Sequence, residues 1–312
     1  ISFALGGQRN IGPWGGGHPF DVQVRRIPAG AAVCPFHSHL VQWELFVVHA
    51  GQGTVRAGNA THRVKAGDVF LHPPNEPHKL TNSGTTELEV VIIADNPPLD
   101  AFYYPDSDKW GLRPPNRFFR LTEVDYFEGE DAVADPNPAG RTSIAAAAAS
   151  PTPLYRQLNL DDVAWQSWAS PKGKFRGTSK ELSIALGANH NTPTGLGAHP
   201  FDLELSRLAP GECGCPFHSH SAQWELFWIL AGEATVRVSD QRHPLVAGDI
   251  VLHPPGETHA ITNTGSSELL FYLVADNPPH DNWHYPDSDK WGQRWPRKIF
   301  RATDAEYWDG EE

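Results

Sequence analysis

The string Cys34-Pro-Phe-His-Ser-His39 occurs a second time as Cys215-Pro-Phe-His-Ser-His220. The string Tyr104-Pro-Asp-Ser-Asp-Lys-Trp-Gly111 likewise returns as Tyr285 to Gly292. Both pairs share one offset of 181 positions, 37 to 218 and 104 to 285. Working outward, Ile1 to Glu130 aligns with Leu182 to Glu311 without a gap, and about half the positions match. A unit this long is a duplicated domain, since solenoid repeats are far shorter. A chain of 312 residues accommodates about two domains, each long enough to bury its own core.

Between the copies the composition changes. Asp131 to Pro153 is rich in Ala, Pro and Ser, and Pro136, Pro138, Pro151 and Pro153 oppose a continuous helix. The expected division is therefore a first domain over 1–130, an extended linker over 131–153 and a second domain over 154–312. Leu154 to Lys180 precedes the second copy, and its counterpart would lie before Ile1. The expectation is a further N-terminal segment in the parent chain.

Within each copy the apolar runs are short. Trp43 to Val48, Gly53 to Gly58, Asp68 to His72 and Leu88 to Ala94 are rich in β-branched and aromatic side chains. Ala50-Gly51, Gly58-Asn59, Gly67-Asp68, Pro73-Pro74 and Asn82-Ser83-Gly84 punctuate them. Short strands at regular spacing predict an all-β fold closed as a jelly-roll barrel, one per copy. No long window has helical periodicity.

Composition narrows the function. The formal net charge is −12, from 25 basic and 37 acidic residues, which disfavours a nucleic-acid partner. No apolar run approaches the roughly 18 residues needed to span a membrane as a helix. Three cysteines make no disulfide framework and fit a reducing compartment, so a cytoplasmic location is expected. The 16 histidines fall in clusters.

Four residues of the first copy form a candidate metal set: His37, His39, Glu44 and His78. Their counterparts are His218, His220, Glu225 and His259. Alternate residues of a strand share a face, so His37 and His39 can point together into a barrel. Three imidazoles and a carboxylate suit one first-row divalent ion per barrel, such as Mn, Fe, Ni or Zn, and leave room for water or substrate.

Other side chains are weaker candidates. Gln42 and Gln223 sit two residues before the ligand glutamates and could share their face. His72 and His253 lie six residues before the third histidines and could support them, touch substrate, or be core histidines. Tyr104, Lys109, Tyr285 and Lys290 could form a lid or clamp, or their segment could simply pack Trp110 and Trp291 on the barrel. Cys34 and Cys215 read as buried structural thiols, and His62 and His243 as exposed. Arg26 and Arg207 could clamp an anion or sit on the surface.

The spacing resembles the two signature motifs of the cupin superfamily. The first runs from Gly30 through His37, His39 and Glu44 to Gly51, the second from Gly67 through Pro73 and His78 to Asn82. The second copy repeats them from Gly211 to Gly232 and from Gly248 to Asn263. The first copy departs at Asn75, where the second has Gly256; Asn tolerates a left-handed turn. The resemblance implies a bicupin of two tandem barrels with metal in each open mouth. Similar cupins include sugar-phosphate isomerases, dioxygenases and organic-acid decarboxylases, which makes a metalloenzyme acting on a small polar metabolite the leading expectation. A non-enzymatic small-molecule-binding or storage bicupin is the alternative. Either could be a pseudo-dimeric monomer or a homo-oligomer.

Overall fold

A computed structural model describes residues 1–124, 155–189, 192 and 196–311. The linker expected over 131–153 lies outside the described residues. The chain divides into two compact units, Val22–Gln157 and Ile1–Asp21 with Leu158–Glu312. This division differs from the repeat boundaries. Ile1–Asp21 joins the second unit, where His18 packs on Trp224 with ring centroids 5.3 Å apart. Tyr155 stays with the first, where it stacks on His62 at 4.3 Å. His62 is consequently half-buried and not exposed as its turn-rich surroundings suggested, whereas His243 is exposed.

Both units are antiparallel β structures. In the first, one sheet places Glu44–Ala50 between Leu88–Asp95 and Asp68–His72. A second sheet orders Ala60–Lys65, Gln52–Ala57, His78–Thr81. A third orders Arg117–Phe119, Lys109–Arg113, Asp100–Tyr104, Ser38–His39. Asp68–His72 is buried at every position, so it reads as a continuous apolar run and not as an alternating one. The core gathers Phe46, Val55, Phe70, Leu80, Leu88 and Ile92, with Phe46 and Phe70 stacked at 4.9 Å. Each such side chain contributes about 1.5–3 kcal/mol on burial.

The second unit repeats the pattern. Its large sheet orders Gln166–Ala169, Arg176–Glu181, Phe201–Leu208, Leu269–Asp276, Glu225–Ala231, Ile250–His253. Gln241–Val246, Glu233–Val238 and His259–Asn263 form the second sheet. Ser219–His220, Asn282–Tyr285, Lys290–Gln293 and Lys298–Phe300 form the third. Leu208, Phe227, Ile229, Ile261, Leu269 and Phe271 make its core.

The repeated motifs acquire local reasons. A bulge falls between Val48 and Ala50 and again between Ile229 and Ala231. Gly51 follows at φ +82, and a Cβ there would lie 2.5 Å from the Glu87 carbonyl oxygen. The Tyr104 to Gly111 segment is a hairpin beside the first histidine pair. Its Asp106 accepts two hydrogen bonds from Arg56 Nη1, as Asp287 does from Arg237. Its glycine is required because the facing ring covers it: a Cβ on Gly111 would sit 1.8 Å from Phe102, and one on Gly292 1.9 Å from Trp283. Asn82, wholly buried, donates to the carbonyls of Ile27 and Thr86, and Asn263 does the same for Leu208 and Ser267.

Candidate metal centres

The backbone sets the two outer ligands against each other. His37 and His78 form an isolated bridge, each N–H bonded to the other's carbonyl at 3.1 and 2.7 Å. His218 and His259 do the same. Glu44 begins its strand directly opposite His72, and Glu225 opposite His253. Asn75 takes the left-handed conformation, φ +69, where Gly256 has φ +85. The N–H of each bonds the carbonyl of the middle histidine, His39 or His220. The third motif histidine and the second are thus tied by one turn.

The side chains converge. His37 Nε2 lies 3.1 Å from His39 Nε2, and His78 Nε2 lies 2.8 Å from Glu44 Oε2. His39 Nε2 is 4.0 Å from Glu44 Oε2. The second copy gives 3.1 Å for His218 to His220, 2.8 Å for His259 to Glu225, and 3.7 Å for His220 to Glu225. Among the described residues, His37, Glu44 and His78, and His218, Glu225 and His259, are the groups whose ligand atoms all lie within 4.8 Å of one another.

The tautomers follow from the other ring nitrogens. His37 Nδ1 faces the Pro35 carbonyl at 3.0 Å, His78 Nδ1 the Glu76 carbonyl at 2.9 Å, and His39 Nδ1 the Asp100 carboxylate at 2.6 Å. All three partners are acceptors, so each Nδ1 carries the proton and each Nε2 presents a lone pair inward. The second copy uses Pro216, Glu257 and Asp281 identically. Two lone pairs facing at 3.1 Å repel unless a cation lies among them. Nitrogen and oxygen donors 3–4 Å apart match a cation held about 2.0–2.2 Å from each. The donor set therefore fits a divalent transition metal.

Electrostatics agree. Burial, then the neighbouring imidazoles, push His37 and His218 down to about 4, so both rings are neutral at physiological pH. Burial would raise the Glu44 carboxyl, but the His78 ring beside it and the other imidazoles of the cluster hold it below the usual carboxylate range; Glu225 behaves alike. His39 and His220 are raised: burial opposes this, and the hydrogen bonds to Asp100 and Asp281 outweigh it.

The remaining sequence candidates fall into distinct places. His72 is 1 % exposed, stacks on His78, and bonds Glu76 through Nδ1 at 2.6 Å; His253 and Glu257 repeat the contact at 2.7 Å. Gln42 and Gln223 are buried, and their amide nitrogens donate to the carbonyls of Asp95 and Asp276. Tyr104 stacks on His37 at 5.9 Å with Lys109 over its ring, and Tyr285 lies 6.1 Å from His218 with Lys290 over it. Trp110 packs on Tyr103 and Trp291 on His284. Cys34 and Cys215 are half-buried and touch the outer Nδ1 side of His37 and His218; burial first pushes Cys34 up to about 12, which disfavours a thiolate ligand. Arg26 is a surface residue paired with Glu89 at 2.9 Å, while Arg207 lies over Trp165.

Asp100 and Asp281 were not singled out by the sequence. They lie in Leu99-Asp-Ala-Phe-Tyr103 and His280-Asp-Asn-Trp-His284, segments that otherwise diverge, and the aspartate is what the two share. Their second oxygens accept from Val41 and Ala222 N–H, which fixes the carboxylates that orient His39 and His220. Beside them the copies differ, with Phe102 at 6.0 Å from His39 and Trp283 at 6.4 Å from His220.

The Cupin domain family model matches residues 23–94 and 204–275, one match in each barrel. The chain belongs to the cupin superfamily as a bicupin, two cupin domains in tandem. An oxalate-binding protein of Thermotoga maritima is 35% identical over 68 residues, 22% of this chain and 55% of that protein. Auxin-binding protein 4 of Zea mays is 31% identical over 112 residues, 33% of this chain and 52% of that protein. The chain thus spans about half the length of these curated relatives. The crystal structure of a salicylate 1,2-dioxygenase from Pseudaminobacter salicylatoxidans superposes with a TM-score of 0.53 at 13% identity, over 83% of this chain and 71% of that one. That likeness is one of fold. Among the described residues no helix is long and apolar enough to cross a membrane.

Proposed function

We propose that this bicupin is a metalloenzyme holding one divalent ion, Mn, Fe, Ni or Zn, in each barrel and acting on a small polar metabolite by dioxygenase, decarboxylase or isomerase-type chemistry. The observation that carries the reading is the inward pair of Nε2 lone pairs 3.1 Å apart in both copies. Bound there, the ion supplies Lewis acidity or oxygen activation to a substrate oxygen. The chain's own residues hold and shield the site. Asp100 and Asp281 keep the middle imidazoles in one tautomer. Tyr104 with Lys109, and Tyr285 with Lys290, stand beside the first histidines as substrate contacts. Gln42 and Gln223 serve the site by holding the loop that precedes the ligand glutamates.

Binding without turnover is the second reading, and the oxalate-binding relative supports it. Elemental analysis by mass spectrometry, on protein purified without added metal, tests the shared premise. Two equivalents of a first-row ion support the reading, and a protein that takes up none on reconstitution defeats it. Turnover of organic acids and sugars, lost in His37→Ala or His218→Ala, separates enzyme from binder.

A further inference from the structure

The second barrel carries Glu204 where the first copy has the neutral Gln23. Strands Arg176–Glu181 and Phe201–Leu208 are antiparallel, with Glu181 directly opposite Glu204 and Ser179 opposite Ser206. Like charges across a ladder destabilise a sheet. All four side chains line one cavity of about 230 Å³, and the same cavity is lined by His218 and Glu225. The acids therefore share a space with the metal centre. Ser179 donates to Glu181 at 2.9 Å and Ser206 donates to Glu204, which leaves further acceptor positions on each carboxylate. Burial first, then Glu181, push Glu204 up to about 7. The first-copy positions that match Glu204 and Ser206 hold Gln23 and Arg25, one neutral and one basic.

We propose that Glu181 and Glu204 make the second barrel selective for a neutral polyhydroxyl ligand, whose adjacent O–H groups donate to the two carboxylates across the cavity from His218 and Glu225. This rests on the metal-centre reading above. The surroundings reject the charged alternatives. A dicarboxylate would meet the acid pair where little water screens it. An ammonium group would meet the cation for which His218 and Glu225 are arranged, and Arg207, which lines the same cavity, is paired with Glu268 at 3.7 Å and so offers little to an anion. A vicinal diol meets neither penalty, because each hydroxyl both donates and accepts. The first barrel has Gln23 at the position of Glu204, so no carboxylate stands there to reject an anion.

The test uses the full chain carrying His37→Ala and His39→Ala, reconstituted with manganese so that the second site alone is loaded. Metal content is measured by mass spectrometry. Erythritol and oxalate are then titrated by calorimetry into this protein, into Glu204→Gln and into Glu181→Gln/Glu204→Gln on the same background. Expected are erythritol binding weakened about tenfold and oxalate binding tightened about tenfold in the double variant, with manganese retained. The single variant gives an intermediate shift and guards against misfolding of the double one. Unchanged affinity for both probes with manganese in place, or no erythritol binding by the parent protein, overturns the inference and leaves the metal reading standing. A parent that holds no manganese defeats the metal reading itself, and the inference with it.

Discussion

His72 lies face to face with His78, ring centroids 3.9 Å apart and planes 6° from parallel, and His253 lies on His259 at 4.0 Å and 8°. The inner ring is anchored in turn by a glutamate four residues on. The third candidate ligand is thus held by packing from behind as well as by its own Nδ1–H bond.

Replacing His72 by Phe keeps the stacked ring and removes the partner of Glu76, whose side chain is 2 % exposed. An unpaired buried acceptor costs about 1–3 kcal/mol. Urea unfolding of His72→Phe is expected to show that loss. First-site metal affinity, read by chelator competition, is expected to fall about tenfold because the ligand ring loses its fixed backing.

Asp100→Ala removes the acceptor for His39 Nδ1 and frees the tautomer of that ring. The expected outcome is about a 10–100-fold weaker first site with the second unaffected. Asp281→Ala gives the mirror result. Metal competition on the two single variants, each with its other barrel as internal control, checks both.

Glu204 is pushed up to about 7 from its ordinary value of 4.5, by burial first and by Glu181 next. Folded protein therefore binds the extra proton between those limits. Its stabilising effect is whole at acid pH, is lost as pH climbs from about 4.5 through 7, and leaves a full penalty above. Glu204→Gln is expected to gain on the order of 1 kcal/mol at pH 8 and almost nothing at pH 4. Thermal unfolding of both proteins across that range is the measurement; an equal gain at both pH values would contradict the sign.

Gly51→Ala places a Cβ 2.5 Å from a backbone oxygen at φ +82, and the strand-end bulge cannot yield to it. Gly58 also has positive φ, +53, but a Cβ there meets nothing within 4 Å. The expected loss is about 1–2 kcal/mol for Gly58→Ala, from the left-handed backbone alone, and clearly more for Gly51→Ala. Paired denaturant curves decide it.

Much of the fold was legible because its cause is local. The strands Glu44–Ala50, Asp68–His72 and Leu88–Asp95 announce themselves by β-branched runs and by turn residues such as Gly51 and Asn82. The sequence also brought His37, His39, Glu44 and His78 together on paper, because alternation along a strand fixes which side chains share a face. Asn75 could be placed in a left-handed turn for the same local reason, and its φ is +69.

What pattern could not convey depends on distance along the chain. Asp100 reaches His39 across 61 residues, and nothing near either predicts the bond. Tyr155 stacks on His62 from beyond the linker, which turned an expected surface histidine into a half-buried one. Gln42 shares its stretch with Glu44, yet its amide bonds the Asp95 carbonyl. The facing of Glu181 on Glu204 arises only when two strands settle into register. The sequence by itself determined the duplication, the barrel class and the identity of the candidate ligands, since repeat, period and motif are properties of order along the chain. The tertiary structure decided which nitrogen carries each proton, which carboxylates orient the rings and how the second barrel differs from the first, because those depend on groups far apart in sequence meeting within hydrogen-bond reach.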